Sequence, residues 1–283
     1  MSEVTQQDEA RKAAGRGSAG TLGQGLPGWL VSAAYPVGSL LVCVLLWDLA
    51  VRFLGVPAYL VPSPAAVAEV LHARFGYLVG HAWVTALETV LGFGFSVLIG
   101  VPLALAIVSS RFVEKSIYPI LVLSQAVPKV ALAPLLLVWI GFGIETKVVV
   151  AVLIAFFPIV ISMVVGLRGV PEEMLDLGRS MGLSPMRMFA KIRLPHALPS
   201  LFGGLKVAIT LAVVGAVVGE FVGADRGLGY VILLASGQLQ MDLMFAAIVL
   251  LVVVGVALFA TVQLVERAMI PWHPSVRSLE GGM

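Results

Sequence analysis

The chain has 283 residues, of which 59% are hydrophobic and 12% are charged, and its formal net charge is +2. Soluble domains carry about 25% charged residues, so this composition excludes an ordinary water-soluble domain. The one cysteine, Cys43, excludes an internal disulfide and a multi-cysteine metal site.

Apolar runs long enough to cross a bilayer recur along the chain and predict an all-α, polytopic membrane protein. Residues 1–28 are polar and Gly-rich, with mixed charge, and are predicted to form a disordered tail. Residues 29–270 form the predicted transmembrane domain, and residues 271–283 a C-terminal tail. About six transmembrane helices are expected, at residues 31–54, 84–109, 117–141, 146–167, 201–223 and 243–265.

An even number of spans places both termini on the same side of the membrane. Most Lys and Arg residues outside the spans fall on that side, whereas Arg52, Arg74, Lys147 and Arg226 are expected on the other. Because positively charged residues mark the cytoplasmic side, both termini are predicted to be cytoplasmic.

A short helix is predicted between the first two spans. Ser63 followed by Pro64 is typical of a helix N-terminus. Val67, Val70 and Leu71 then recur at helical spacing. We expect an amphipathic helix that lies along the outer surface of the membrane.

Polar residues inside the predicted spans are candidates for a transport pathway, because ionisable groups in a membrane are costly. Gln125, Pro128 and Lys129 lie in the third span, where the proline is expected to kink the helix. Lys129 either lines the pathway or forms a structural ion pair with Glu88 or Glu220. Glu220 either faces the pathway or anchors the loop that follows it. Glu88 either faces the pathway or lies at the membrane interface.

Three glycines, Gly215, Gly219 and Gly223, recur at four-residue spacing in the fifth span. This pattern is typical of close helix–helix packing in membranes. The sequence leaves open whether the partner is another span or the same span of a second copy.

A charged segment at residues 171–195 interrupts the apolar runs on the predicted cytoplasmic side. Pro171 is expected to start one helix, which ends near Gly182. Ser184 is expected to cap a second helix, and Pro195 to end it. The two helices would form an elbow with an apolar face and a basic face. An interfacial helix whose Lys and Arg residues meet anionic lipid is the alternative.

The spacing within this elbow resembles the cytoplasmic signature of binding-protein-dependent ABC importer permeases. That signature is Glu-Ala-Ala, three residues, Gly, nine residues and Ile-x-Leu-Pro. Gly182 and residues 192–195 match it, whereas residues 176–178 read Asp-Leu-Gly in place of Glu-Ala-Ala. The resemblance implies that the elbow docks on an ATPase subunit, through Asp176, Gly178, Gly182, Ile192, Leu194 and Pro195.

Three further segments, "QAVPKVALAPLLLVWIGFG" (125–143), "GEFVGADRGLGYVI" (219–232) and "PWHPS" (271–275), resemble the nitrate, sulfonate, taurine and pyrimidine-precursor subgroup of this family. The resemblance implies a type I ABC importer permease fold in a bacterial cytoplasmic (inner) membrane. It also implies an ATP-binding cassette ATPase, an extracytoplasmic substrate-binding protein and a second permease copy as partners. The expected surroundings are lipid, without nucleic acid.

The chain has no phosphate-binding Gly-x4-Gly-Lys-Ser/Thr loop, so we expect it to hold no cofactor and to catalyse no reaction. ATP and magnesium would bind the partner ATPase. A stand-alone secondary carrier or channel is the alternative function, but it has no need of a docking elbow. A membrane-embedded enzyme is disfavoured because no nucleophile, base or metal set converges in the sequence.

Overall fold

The computed structural model describes residues 28–272, which form helices and short connections, with no β-strand in this part of the chain. The predicted tails lie outside the described residues, except that Gly28 begins the first helix and residues 271–272 form a turn. The helices are α1 (Gly28–Phe53), α2 (Pro64–Ala73), α3 (Phe75–Ser109), α4 (Arg111–Ser124), α5 (Ala133–Ile140), α6 (Ile144–Arg168), α7 (Glu172–Ser180), α8 (Pro185–Met188), α9 (Leu194–Gly223), α10 (Leu228–Gly237) and α11 (Met241–Met269).

Helices occupy all six positions at which spans are predicted. In the described part of the chain, α3, α6, α11 and the continuous run Pro185–Gly223 are each long and apolar enough to cross a membrane. The third span is broken, because α4 and the segment Lys129–Ile140 meet at an angle of 86°. The 26-residue α1 lies at the first predicted position and contacts the bundle through Trp47, whose ring is 5.6 Å from that of Phe245.

The predicted kink in the third span is confirmed, and it is sharp. Helix α4 ends at Ser124, and Pro128 has an extended backbone with ψ of 91°. A 3₁₀ turn, Lys129–Leu132, then leads into α5. The proline has no N–H to donate and disfavours a helical residue before it, so the helix ends and restarts in another direction.

The core of the molecule is a three-helix layer in which α6 packs between α3 and α9. Gly215 and Gly219 of α9 lie against Ala151 and Lys147 of α6, and Gly223 lies against α5. The glycine stripe therefore packs within the same subunit. Without Cβ atoms at these positions the two backbones approach closely, which increases dispersion contacts between helices that have little hydrophobic driving force in lipid.

The predicted short helix before the second span is confirmed as α2. The Ser63 hydroxyl accepts a hydrogen bond from the Ala66 amide at 3.3 Å, as expected of an N-cap. Val67 is buried in a cluster with residues of α10 and α11, among them Leu228 and Leu243. The apolar face of α2 thus covers one end of the bundle.

Candidate functional site

The elbow at residues 171–195 turns at Gly182. This residue has φ of +70°, a left-handed conformation that glycine adopts without a Cβ penalty. The Gly182 amide donates to the Arg179 carbonyl at 2.9 Å, and the Leu183 amide to the Gly178 carbonyl at 3.0 Å. These bonds satisfy carbonyls at the end of α7 and aim the chain toward α8.

Helix α8 begins as the sequence predicts. Ser184 Oγ accepts a hydrogen bond from the Arg187 amide at 3.4 Å, and Pro185 occupies the first helical position. The elbow has two arms, α7 and the segment at residues 185–193. Gly178 of the first arm is buried against the second: a Cβ there would lie 2.7 Å from Met188 Sδ and 3.0 Å from Ile192 Cδ1. A small residue at this position therefore lets the two arms close on each other.

Pro195 does not end the second arm, so that prediction is wrong. Residues Phe189–Arg193 form a π turn in which the Leu194 amide donates to the Phe189 carbonyl, and α9 follows directly. Pro195 falls in the first turn of α9, where its missing N–H needs no partner within the helix. The second arm and the fifth span are thus one continuous helical run.

The elbow presents apolar side chains outward. The exposed fractions are 45% for Met174, 63% for Leu177, 71% for Met181 and 75% for Met186. Gly178, which the resemblance implies is a docking residue, is buried. Asp176 is exposed and pairs with Arg179 at 2.7 Å. Exposed methionines and a leucine with a charged rim suit a protein partner that covers them.

A second polar constellation lies at the other end of α9, around Glu220. This carboxylate is 1% exposed. Its Oε1 accepts from the Thr85 hydroxyl at 2.6 Å, and its Oε2 accepts from the Gly229 amide and, at 3.3 Å, from the Tyr230 amide. The Leu228 amide donates to Thr85 Oγ1 at 2.8 Å. This geometry favours the interpretation of Glu220 as the anchor of the following loop.

Glu88 is 1% exposed, so its side chain lies inside the protein and not on its surface. It lies one turn from Thr85 and close to Glu220 and Lys147, and its Oε2 has no hydrogen-bond partner among the described residues. Lys147 was expected at the outer end of the fourth span, and it is only 5% exposed in the first turns of α6. Two carboxylates and one lysine are thus buried together in the core of the bundle.

The structure does not bring Lys129 to either carboxylate. Its Nζ lies 4.3 Å from the centroid of the Phe157 ring, and no described carboxylate is within ion-pair distance of it. Gln125 and Pro128 are exposed at the break between α4 and α5. The five pathway candidates therefore fall in two places, the break in the third span and the buried Glu88–Glu220 cluster.

An ion pair that sequence reasoning missed joins α9 to α11. Lys206 Nζ lies 2.9 and 3.1 Å from the two carboxylate oxygens of Glu266. Lys206 interrupts a predicted span, which was a signal that such a partner was needed. The side chains are 27% and 9% exposed, respectively, so the pair is partly shielded from its surroundings.

Comparison with known proteins gives consistent matches. Residues 96–271 match the family model described as binding-protein-dependent transport system inner membrane component. The chain is 41% identical over 222 residues to a probable ABC transporter permease protein of Haemophilus influenzae, covering 78% of this chain and 91% of that one. It is 34% identical over 242 residues to the formylaminopyrimidine transport permease protein ThiX of Halalkalibacterium halodurans, covering 85% and 96%.

The fold also matches a solved structure. A chain of the MetNI methionine ABC transporter, in an inward-facing conformation, superposes with a TM-score of 0.60 at 23% identity. The match covers 69% of this chain and 97% of that one. The helical arrangement described above is therefore that of a type I importer permease.

Proposed function

Because the chain belongs to the family of binding-protein-dependent transport system inner membrane components, and is a multi-pass permease subunit of an ABC importer, we propose how it is driven and what it carries. A separate ATPase subunit binds ATP and magnesium and docks on the elbow. A substrate-binding protein delivers the cargo to the opposite face. Two copies of this chain enclose the pathway.

The observation that carries this proposal is the geometry of the elbow. A left-handed turn at Gly182 holds two short arms together, and their exposed apolar side chains have no partner within the described part of the chain. Interfaces place such apolar residues at their centre and charged residues at the rim. Since the second arm continues into α9, motion of the ATPase would reach the core of the bundle through one rigid run.

Two matched leucine variants test the docking. Leu177 on the elbow and Leu239 at the opposite end of the bundle are 63% and 66% exposed. We expect Leu177→Asp to reduce copurification of the ATPase with the permease at least tenfold, because a central interface residue contributes about 2 kcal/mol or more. Leu239→Asp should leave it unchanged. Equal recovery of the ATPase with both variants would contradict docking at the elbow.

The proposed orientation places the elbow and both termini in the cytoplasm of a bacterium, with lipid around the bundle. Arg187 and Lys191 are exposed on the elbow, and Arg111 and Lys115 lie at the same end. This excess of basic residues follows the positive-inside rule. Cysteine labelling from outside intact cells should modify a cysteine at Asp225 but not one at Arg187.

For the cargo we propose a pyrimidine-type vitamin precursor. The support is the 34% identity to a permease named for formylaminopyrimidine transport. The test is to purify the substrate-binding protein that delivers to this permease and to identify its bound ligand by mass spectrometry. A pyrimidine supports the proposal, whereas a sulfonate, taurine or nitrate overturns it without affecting the docking of the ATPase.

A further inference from the structure

The start of α10 is held by side chains from other helices. The four consecutive backbone N–H groups of residues 227–230 donate to His81 Nδ1, Thr85 Oγ1 and, twice, Glu220 Oε2. The first amides of a helix have no partner within the helix, and a carboxylate near them is also favoured by the helix dipole. Two spans, α3 and α9, therefore fix the position of α10 and of the loop before it.

One of these acceptors, His81, is a histidine and can gain a proton when the medium is acidified. The Gly227 amide donates to His81 Nδ1 at 3.0 Å, which requires that this nitrogen carry no proton. Threonine does not titrate. Burial lowers the pKa of the His81 imidazole from the ordinary histidine value of about 6.5, so the ring is neutral at neutral pH and gains a proton on acidification. Protonation of Nδ1 would place its N–H against the N–H of Gly227. The hydrogen bond between these two groups would then be lost, while the bonds to Thr85 and Glu220 would remain.

The surroundings of His81 leave it accessible to protons. The imidazole is half-buried, with the ring of Tyr77 at 4.4 Å and that of Tyr230 at 6.0 Å. The charged groups that act on it are Asp225 and Arg226 of the loop, whose side chains are 87% and 75% exposed and opposite in sign. No buried counter-ion fixes its charge among these neighbours, so it can change state with the medium.

The loop that His81 holds borders a cavity. A space of about 390 Å³ lies between the end of α9 and α10, lined in part by Glu220, Tyr230 and Gln238. Gly227 has φ of +107°, and a Cβ there would collide with the Glu220 carboxyl. The position of Gly227 is therefore tightly defined while its amide is bound, and the loop gains freedom next to this cavity when the bond is lost.

We propose that His81 is a positioning residue for transport, whose neutral imidazole holds the loop at residues 224–227 in place. Protonation releases the loop, and uptake falls as the medium on that side is acidified. The effect on uptake rests on the proposed function, since it assumes that cargo enters at this face. The effect on the loop does not depend on the proposed function.

Three variants separate this role from a structural one. His81→Asn places an amide oxygen where Nδ1 stands, so it accepts the Gly227 hydrogen bond without titrating. His81→Phe keeps the contacts with Tyr77 and Tyr230 but removes the acceptor. His72→Asn is the matched control, because His72 is exposed on α2 at the same end of the bundle.

The first measurement is hydrogen exchange of residues 224–228 in the assembled transporter, with each variant compared with wild type at the same pH. Burial lowers the pKa of His81 below the ordinary histidine value of about 6.5, so the pH series starts at about 7.5 and extends well below 6.5. Over this range exchange in wild type should rise severalfold relative to His81→Asn. His81→Phe should exchange fast at every pH. A constant ratio of wild type to His81→Asn would overturn the proposal, whether or not the transporter is active.

The second measurement is ATP-driven uptake into proteoliposomes, per assembled complex and with the same binding protein throughout. Uptake by wild type relative to His81→Asn should fall severalfold over the same range on acidification of the loop side. His72→Asn should follow wild type. Rescue by asparagine of the uptake lost in His81→Phe would exclude a merely structural defect, and failure of that rescue would overturn the positioning role. Absence of uptake by wild type at every pH would count against the proposed function and leave the exchange result standing.

Discussion

Glu220 accepts hydrogen bonds from three donors at the end of the bundle opposite the elbow. A glutamine at this position would present an NH₂ group toward donors on Thr85, Gly229 or Tyr230, leaving at least one buried donor unpaired. We expect Glu220→Gln to destabilise the complex by about 2 kcal/mol or more, because charge-assisted hydrogen bonds contribute about 1.5–3 kcal/mol. The measurement is the thermal midpoint of the purified complex.

Glu88→Gln is the matched variant for Glu220→Gln. Glu88 is equally buried, but its Oε2 has no hydrogen-bond partner among the described residues, so loss of its charge should be nearly neutral. A larger loss of stability in Glu88→Gln than in Glu220→Gln would show that the ionised group on which the cluster depends is Glu88.

Lys129 remains a predicted pathway residue. Its ammonium lies over the Phe157 ring, and such a contact contributes about 0.5–1 kcal/mol at an exposed site. Lys129→Met should therefore change stability little and leave ATPase docking intact, while uptake per assembled complex changes. Unchanged uptake together with unchanged stability would refute a role in the pathway.

Helices α6 and α9 depend on the absence of side-chain atoms between them. A Cβ on Gly215 would lie 2.5 Å from the Cα of Ala151, and a backbone atom cannot move aside as a flexible side chain can. Gly215→Leu should lower the yield of folded permease and its thermal midpoint, since overpacking costs about 1–3 kcal/mol or more. Gly203→Ala, in the same helix but facing open space, is the control.

In the elbow, glycine is needed for its backbone conformation and not for close helix packing. Gly182 has φ of +70° and open space around it, so a large side chain would strain the turn and project toward a docked partner. Gly182→Trp should insert normally in the membrane but lose ATPase association or transport. Asparagine tolerates the left-handed conformation, so Gly182→Asn should retain much of both. Wild-type uptake in the tryptophan variant would show that the elbow is not the coupling element.

The subunit as a whole leaves a large apolar surface near the break in the third span. Val138, Trp139 and Phe142 are 80%, 71% and 78% exposed on α5 and the turn after it. We predict that two copies associate about a two-fold axis along the membrane normal. Native mass measurement of the active complex in detergent should find two permease chains and two ATPase chains. A single permease chain in an active, ATPase-bound complex would contradict this.

Features that depend on a few neighbouring residues were predictable from the sequence. The caps at Ser63 and Ser184, the left-handed turn at Gly182 and the break at Pro128 each follow from backbone sterics or from a hydrogen bond within four residues. The positions of the predicted spans follow from apolar runs that are as long as a bilayer is thick. These are local properties, and a membrane environment strengthens them because each backbone polar group must be paired within its own segment.

What only the tertiary structure decided is which distant groups meet. Thr85 and Glu220 are 135 positions apart, and the helical period of each span says nothing of which face is turned to the other. Lys147 was expected at the outer end of a span, and packing buries it because Gly219 of α9 leaves space for its backbone. Pro195 continues a helix because the preceding π turn places it in a first turn. Sequence determines the helices and their ends through local energies, whereas packing decides their partners through complementary shape and the pairing of buried charge.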